Sequence, residues 1–230
     1  MTAPWLFAEF SPVGVDLSSW EAVESYDRNQ GTDPLRDRAL LDRLNVGQGT
    51  QIVDLACGTG SFIVEAAKRG AEAHGVDVSE RMLEFTRRRA AAAATRVSLH
   101  HAGFLTYRHP GTPADVVTIK SALHQLPDFW KQTALVNIAG YIKPGGLLYI
   151  WDVIFTFPPA EYAQHLQKMV DEFGHVDGQG FSREDFESHI REEFSTYAWI
   201  LEGLLDRAGF DLVASDFPRP THGEFCCRRR

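Results

Sequence analysis

A chain of 230 residues with 44% hydrophobic and 23% charged side chains can bury one sizeable core, which excludes a largely disordered protein. Its net charge of −8 and its short basic runs, at residues 87–89 and 228–230, speak against a nucleic-acid partner and favour a small or neutral substrate. Cys57, Cys226 and Cys227 are odd in number and irregular in spacing, which excludes a disulfide framework and a structural zinc site. A reducing compartment, the cytoplasm, is therefore expected. The N-terminus lacks a basic, then apolar, leader pattern, and no stretch approaches the roughly 18 apolar residues of a membrane span. No membrane association is expected.

The first 35 residues are rich in aromatics, Gly and Pro and show little periodicity. They read as a cover segment on a single domain spanning 1–230. A strand is predicted at 52–56, followed by a glycine turn and a helix at 61–69. A second strand at 73–78 precedes a helix at 80–94, for which Ser79 is the expected N-cap. Strands follow at 96–101 and 115–120. Asp128 is placed to cap a helix running to 142, where Leu135, Ile138 and Ile142 recur at helical spacing. Lys143-Pro-Gly-Gly146 stops it. A fifth strand covers 147–153. The rhythm then breaks over 155–195, and returns with a helix at 197–208 and two closing strands at 210–217 and 224–228. This alternation predicts right-handed βαβ crossovers and a doubly wound α/β fold, with a mostly parallel seven-stranded sheet. The stretch 155–195 reads as an insertion: a helical lid, or a helical pair with no such role.

Parallel α/β sheets bind ligands at the carboxyl ends of their strands. Val53-Asp-Leu-Ala-Cys-Gly-Thr-Gly-Ser-Phe62 lies at such an end. Gly58 and Gly60 permit a tight turn and close backbone approach to a ligand, although two glycines also suit a plain strand-to-helix turn. A dinucleotide fingerprint would need a small residue at position 63, and Ile63 is bulky. Asp77 ends the second strand, where a carboxylate can accept both hydroxyls of a ribose or act as a simple loop acid. His100 and His101 adjoin on a strand and point to opposite faces, so they make no metal pair. Strand four ends in Lys120-Ser121 and strand five offers Asp152 alone, so no metal is expected.

Together these segments resemble the class I S-adenosylmethionine-dependent methyltransferases, of the small-molecule type and with a Rossmann-like fold. VDLACGTGSF (53–62), GVDVSERML (75–83), DVVTIKSALHQLPD (115–128) and KPGGLLYI (143–150) carry the resemblance. LLDRAGFDLV (204–213) and GEFCCRR (223–229) match the closing helix and strands. The resemblance implies S-adenosyl-L-methionine as cofactor. It implies that Asp54, Ala56, Gly58 and Gly60 form the loop under the methionine portion, and that Asp77 binds the ribose. Val78 and Met82 would flank the adenine, and Phe104 would touch its edge. Ser121 and His124 would lie beside the transferred methyl group, with Tyr26 overhanging it. Two departures stand out: Ala56 replaces the loop's first glycine, and Gly103 replaces an acid that often binds the adenine amino group.

Methyl transfer is an in-line displacement at a carbon already activated by a sulfonium, so the protein mainly aligns the reactants and excludes water. His124 is the candidate base, or else a histidine that supports the core or the cofactor. Trp20, Trp130, Trp151, Tyr162 and Trp199 are candidates to line an acceptor pocket. The expected activity is methyl transfer to O, N or C of a small organic molecule. The rivals are a catalytically silent methyltransferase-like subunit and, more distantly, a nicotinamide-dependent oxidoreductase. A homodimer is compatible with the sequence.

Overall fold

The computed structural model describes residues 4–11, 19–175 and 180–230. Strand β1 (Gln51–Leu55) buries Ile52, Val53 and Leu55 on both faces, as a central parallel strand covered by helices must. It pairs in parallel with β2 (Glu72–Asp77) on one side and with β4 (Ala114–Lys120) on the other. Strand β3 (Ser98–His101) lies outside β2, and β5 (Ile142–Phe155) lies beside β4. A two-residue strand β6 (Thr196–Tyr197) adds in parallel to the end of β5. The chain closes with β7 (Phe210–Arg219) and β8 (His222–Arg229), β8 pairing antiparallel with both β5 and β7. The main order is β3-β2-β1-β4-β5-β8-β7: the seven strands expected, with β6 as an extra. The winding reverses between β1 and β4, and the carboxyl ends of those strands open a crevice there.

Helices cover both faces. Helix α1 is Trp20–Gln30, α2 Pro34–Arg43, α3 Ser61–Lys68 and α4 Glu80–Ala92. Helix α5 is Asp128–Tyr141, α6 Tyr162–Phe173, α7 Arg183–Glu192 and α8 Ala198–Arg207. One core layer packs α5 and α8, through Leu135, Ile138, Leu201 and Leu205, against Val117, Ile119 and Ile150. The other packs Leu41, Phe62, Ile63 and Leu83 against Ile52 and Val116. Ile63, too bulky for a dinucleotide turn, is a fully buried part of this second layer.

The structure departs from the sequence reading in three places. The N-terminal stretch contains α1, capped by Ser19, and the start of α2, capped by Asp33. Helix α1 fully buries only Val23, so it leaves almost no apolar stripe to detect. Asp128 opens α5 rather than capping it; Pro127 holds the cap position, and Asp128 bonds to Lys131 and Thr196. Lys143 to Gly146 forms an irregularity inside β5, where the pairing with β4 shifts register.

Candidate active site

The loop after β1 is built for close approach. Ala56, Gly58 and Gly60 all have positive φ, of 56°, 54° and 78°. A Cβ at Gly60 would collide with the Thr86 side chain, so glycine is required there by contact as well as by backbone angle. Thr86 Oγ1 donates to the Gly58 carbonyl at 2.8 Å and ties the loop to α4. Asp77 holds the same loop from β2: its Oδ2 accepts the Gly58 N–H at 2.9 Å and its Oδ1 the Ser79 N–H at 2.8 Å. Burial raises the Asp77 pKa, and those two N–H bonds oppose the rise.

Asp54 lies beneath the loop, 3% exposed, with Thr118 Oγ1 donating to it at 2.6 Å. Burial pushes its carboxyl up to about 6, against the pull of Lys120 and Thr118. A cavity of about 1740 Å³ opens in front of this loop. Nine of the eleven residues singled out from the sequence line it: Tyr26, Ala56, Gly58, Asp77, Val78, Met82, Phe104, Ser121 and His124. Asp54 and Gly60 support the wall from behind.

At the far end of β4, Ser121 turns the chain with φ 51° and donates its N–H to the Trp151 carbonyl at 2.7 Å. The following 3-10 turn, Leu123–Gln125, carries His124. Its backbone N–H donates to Asp152 Oδ2 at 3.1 Å, and its Nδ1 lies in a short contact with Asp152 Oδ1. Its Nε2 lies 2.9 Å from Glu193 Oε2. Burial disfavours the charged ring, but the Asp152 and Glu193 carboxylates outweigh it and raise its pKa to about 10. Tyr26 sits edge-on to Phe181 at 5.8 Å, and its hydroxyl accepts from Gln30. Burial, with Asp77 and Glu193 nearby, raises that phenol to about 12 and keeps it neutral.

Several contributors were not visible in the sequence. The insertion lines the cavity with Phe173, Phe181, Phe186, His189 and Glu193. The single clue was His189 and Glu193 four apart, on one face of α7 and its cap. Glu9 is the second surprise. Its carboxylate fills the space that a side chain at Gly103 would need, and accepts the Leu105 N–H at 2.8 Å. The acid missing from position 103 is thus replaced in space by one from the N-terminal segment.

Of the five aromatics offered as acceptor contacts, only Trp151 lines the cavity. Trp20 lies over Arg88, Trp130 packs on Phe7 and Phe129, and Tyr162 and Trp199 are exposed. His100 and His101 do face opposite ways: His100 stacks on His74, and His101 reaches the cavity and the Val78 carbonyl.

A parallel sheet with a glycine-turned loop at its switch point, and an acid at the end of the next strand, defines an α/β enzyme for an adenosyl or nucleotide cofactor. A profile for methyltransferase domains matches residues 52–146. The demethylmenaquinone methyltransferase of Shouchella clausii is 33% identical over 184 residues, covering 77% of this chain and 72% of the relative. Two solved structures share the fold. The CcbJ methyltransferase from Streptomyces caelestis has a TM-score of 0.66 at 19% identity, over 90% of this chain and 95% of its own. The magnesium protoporphyrin IX methyltransferase from Synechocystis PCC 6803, with bound SAH, has 0.64 at 14%, over 94% and 90%. The chain belongs to the class I S-adenosylmethionine-dependent methyltransferases. It is an enzyme that uses S-adenosyl-L-methionine to methylate a small molecule. None of its described helices is long and apolar enough to cross a membrane.

Proposed function

We propose that the methyl acceptor is a hydroxylated aromatic molecule, held between the glycine loop and the insertion. One observation carries this reading. His124, backed by Asp152, faces the same cavity as the glycine loop and Asp77, and the wall beside it is aromatic, from Trp151, Phe173, Phe181 and Phe186. In this reading Asp77 takes the ribose hydroxyls, and Ala56 and Gly58 pass under the methionine portion with Asp54 and Gly60 behind. Val78, Met82 and Phe104 enclose the adenine, with Glu9 at its polar edge. Ser121, His124 and Tyr26 then hold the acceptor beside the methyl group. The volume of about 1740 Å³ exceeds the roughly 300–1,000 Å³ of an ordinary single-ligand pocket, which suits a cofactor and a ring-bearing acceptor together. The Shouchella relative takes demethylmenaquinone, which fits a ring-bearing acceptor.

The same reading makes 1–230 one domain, with the N-terminal segment and 155–195 as its covers and the latter acting as a lid. The charge of −8 goes with a small acceptor and not a nucleic acid, and the reduced cysteines go with the cytoplasm. A homodimer would have the outer strand β7, with Leu212 and Val213 exposed, as its natural edge. The deciding experiment offers labelled S-adenosylmethionine with a panel of phenols, quinols, amines and thiols. Label should enter the hydroxylated aromatics. Label in amines or thiols alone, from protein that binds S-adenosylhomocysteine, overturns the acceptor class.

A further inference from the structure

Three metal-binding side chains meet at one point of the acceptor end. His124 Nε2, His189 Nδ1 and Glu193 Oε2 lie within 4.8 Å of one another, and this is the single such grouping among the described residues. His124 is buried and His189 and Glu193 are largely so, with side-chain exposures of 8%, 13% and 8%. Their other polar atoms are already engaged. His124 Nδ1 meets Asp152, and His189 Nε2 lies 2.9 Å from Ser195 Oγ. Such outer contacts fix the tautomer and orientation of histidines that bind metals. With a proton on His189 Nε2, its Nδ1 turns a lone pair toward the Glu193 carboxylate, and His124 Nε2 faces the same oxygen with the proton that the two neighbouring carboxylates hold on its ring. Glu193 Oε2 stands 2.9 Å from one and 2.5 Å from the other, yet it is buried without a hydrogen bond of acceptable geometry. The buried carboxylate needs a cation beside it: the His124 proton is one, and a divalent ion that displaces that proton is another.

The backbone holds this arrangement in place. Phe194, next to Glu193, donates its N–H to the His124 carbonyl at 2.7 Å, and its own carbonyl accepts from buried Lys131 at 2.5 Å. The insertion is thereby fastened to the end of β4 at the point where the three groups converge. Ligand atoms of a tetrahedral ion with bonds of about 2.0–2.1 Å lie roughly 3.3 Å apart, so small side-chain rotations would admit one.

We propose that His124, His189 and Glu193 bind one divalent first-row transition ion, with its open positions facing the acceptor cavity. Two imidazoles and one carboxylate suit Zn²⁺, Fe²⁺ or Mn²⁺, whereas Mg²⁺ and Ca²⁺ prefer oxygen ligands alone. The consequence for catalysis rests on the transfer reading above. An acceptor hydroxyl on the ion ionises at neutral pH and gives its proton to solvent. Its oxygen then bonds to the methyl carbon as the C–S bond breaks, and the pair of that bond returns to sulfur, leaving S-adenosylhomocysteine and a methyl ether.

The test is titration calorimetry of the chelator-treated full chain with Zn²⁺, with Mg²⁺ for comparison and with S-adenosylhomocysteine in a parallel run. One equivalent of Zn²⁺ should bind at least a hundredfold more tightly than Mg²⁺. His189→Ala and Glu193→Gln should each weaken Zn²⁺ at least a hundredfold, and Ser195→Ala about tenfold, while S-adenosylhomocysteine still binds and reports a folded chain. Should those variants fail to fold, Co²⁺ added to the parent protein decides, since ligation by two imidazoles gives visible absorption bands. No stoichiometric Zn²⁺ uptake, no Co²⁺ bands, or unchanged Zn²⁺ affinity in the folded variants overturns the site. Loss of S-adenosylhomocysteine binding by the parent instead counts against the transfer reading and leaves the metal result to stand by itself.

Discussion

The Asp27 carboxylate holds Arg89 Nη2 through both oxygens, at 3.0 and 2.9 Å, and also takes the Thr59 hydroxyl at 2.6 Å. Arg89 Nη1 in turn donates to the Thr59 carbonyl at 2.8 Å. One ion pair thus ties α1 to α4 and to the glycine loop, and fixes Tyr26, the preceding residue, at the cavity wall. Both side chains are about four-fifths buried, so the pair is shielded from the screening that weakens surface bridges. Asp27→Ala should lower stability by about 1–3 kcal/mol. It should also weaken S-adenosylhomocysteine several-fold by loosening the loop. A melting curve and a titration that both match the parent would show α1 to be an ornament.

Asp77 has two duties in the structure, and a substitution tests both. Its oxygens already accept the Gly58 and Ser79 N–H groups, and they retain lone pairs toward the cavity for ribose hydroxyls. Asp77→Ala should cut S-adenosylhomocysteine affinity at least tenfold, since charge-assisted hydrogen bonds contribute roughly 1.5–3 kcal/mol each. Asp77→Asn keeps one acceptor oxygen and should lose less. Equal, near-parental affinity in both folded variants would falsify the ribose assignment.

How much of this was legible beforehand follows from where each signal lives. The strand ends, Gly58, Gly60 and Asp77 are local: a turn needing positive φ and an acid closing a strand are written in consecutive residues. The seven-strand order follows from the βαβ alternation for the same reason. Glu9 and Gly103 are 94 positions apart, and His124 and His189 are 65 apart. Those pairs exist only because the N-terminal segment and the insertion fold back over the sheet, and neither segment has a periodicity that announces its docking site. Four of the five aromatic assignments failed for a related reason. A Trp or Tyr on a helix can face core, solvent or cavity, and only the packing of its own helix, here α1, α5, α6 or α8, decides.

Ala56 is the loop's first position, and its φ of 56° is costly for any residue with a Cβ. Ala56→Gly should therefore stabilise the protein by about 0.5–1 kcal/mol, because relief of that strain exceeds the added flexibility of the unfolded chain. Thermal unfolding measures it. A lower melting temperature would mean that the Ala56 methyl packs usefully against the loop, and that the strain is already offset.

The insertion should open by halves. Helix α7 has no fully buried residue, although its N-terminus carries a capping box between Ser182 and Asp185. Residues 193–196 are stitched to His124, Lys131 and Asp128. Amide exchange should be fast along α7, slow at Phe194, and slower across α7 once cofactor product and acceptor fill the cavity. Uniform exchange through 183–196, indifferent to ligand, would remove the lid reading. The glycine-flanked bonds at 177–180 are the expected protease site of the same lid; residues 177–179 lie outside the described residues.

Asp54 supplies the sharpest pH test, because its stability and binding effects should part company. Its folded carboxyl is raised to about 6 from an ordinary 3.8, chiefly by burial. A raised acid favours its neutral form in the fold. The associated stability is fully present below pH 3.8 and is lost as pH rises through about 6. A rise of that size corresponds to about 3 kcal/mol, an upper figure for an ionised group that still feels Lys120. Asp54→Asn keeps an oxygen for the Thr118 hydroxyl and removes the charge. At pH 7.5 the variant should be more stable than the parent by about 1–3 kcal/mol, and the gap should close as pH falls from 6 toward 3.8. Asp54 does not reach the cavity wall, so S-adenosylhomocysteine affinity should change less than fivefold, against tenfold or more for Asp77→Ala. Urea unfolding across pH 4–8, with titrations at both ends, measures each part. A variant less stable than the parent at pH 7.5 would mean that Lys120 fully compensates the buried charge. An affinity loss as large as that of Asp77→Ala would place Asp54 in direct contact with the cofactor.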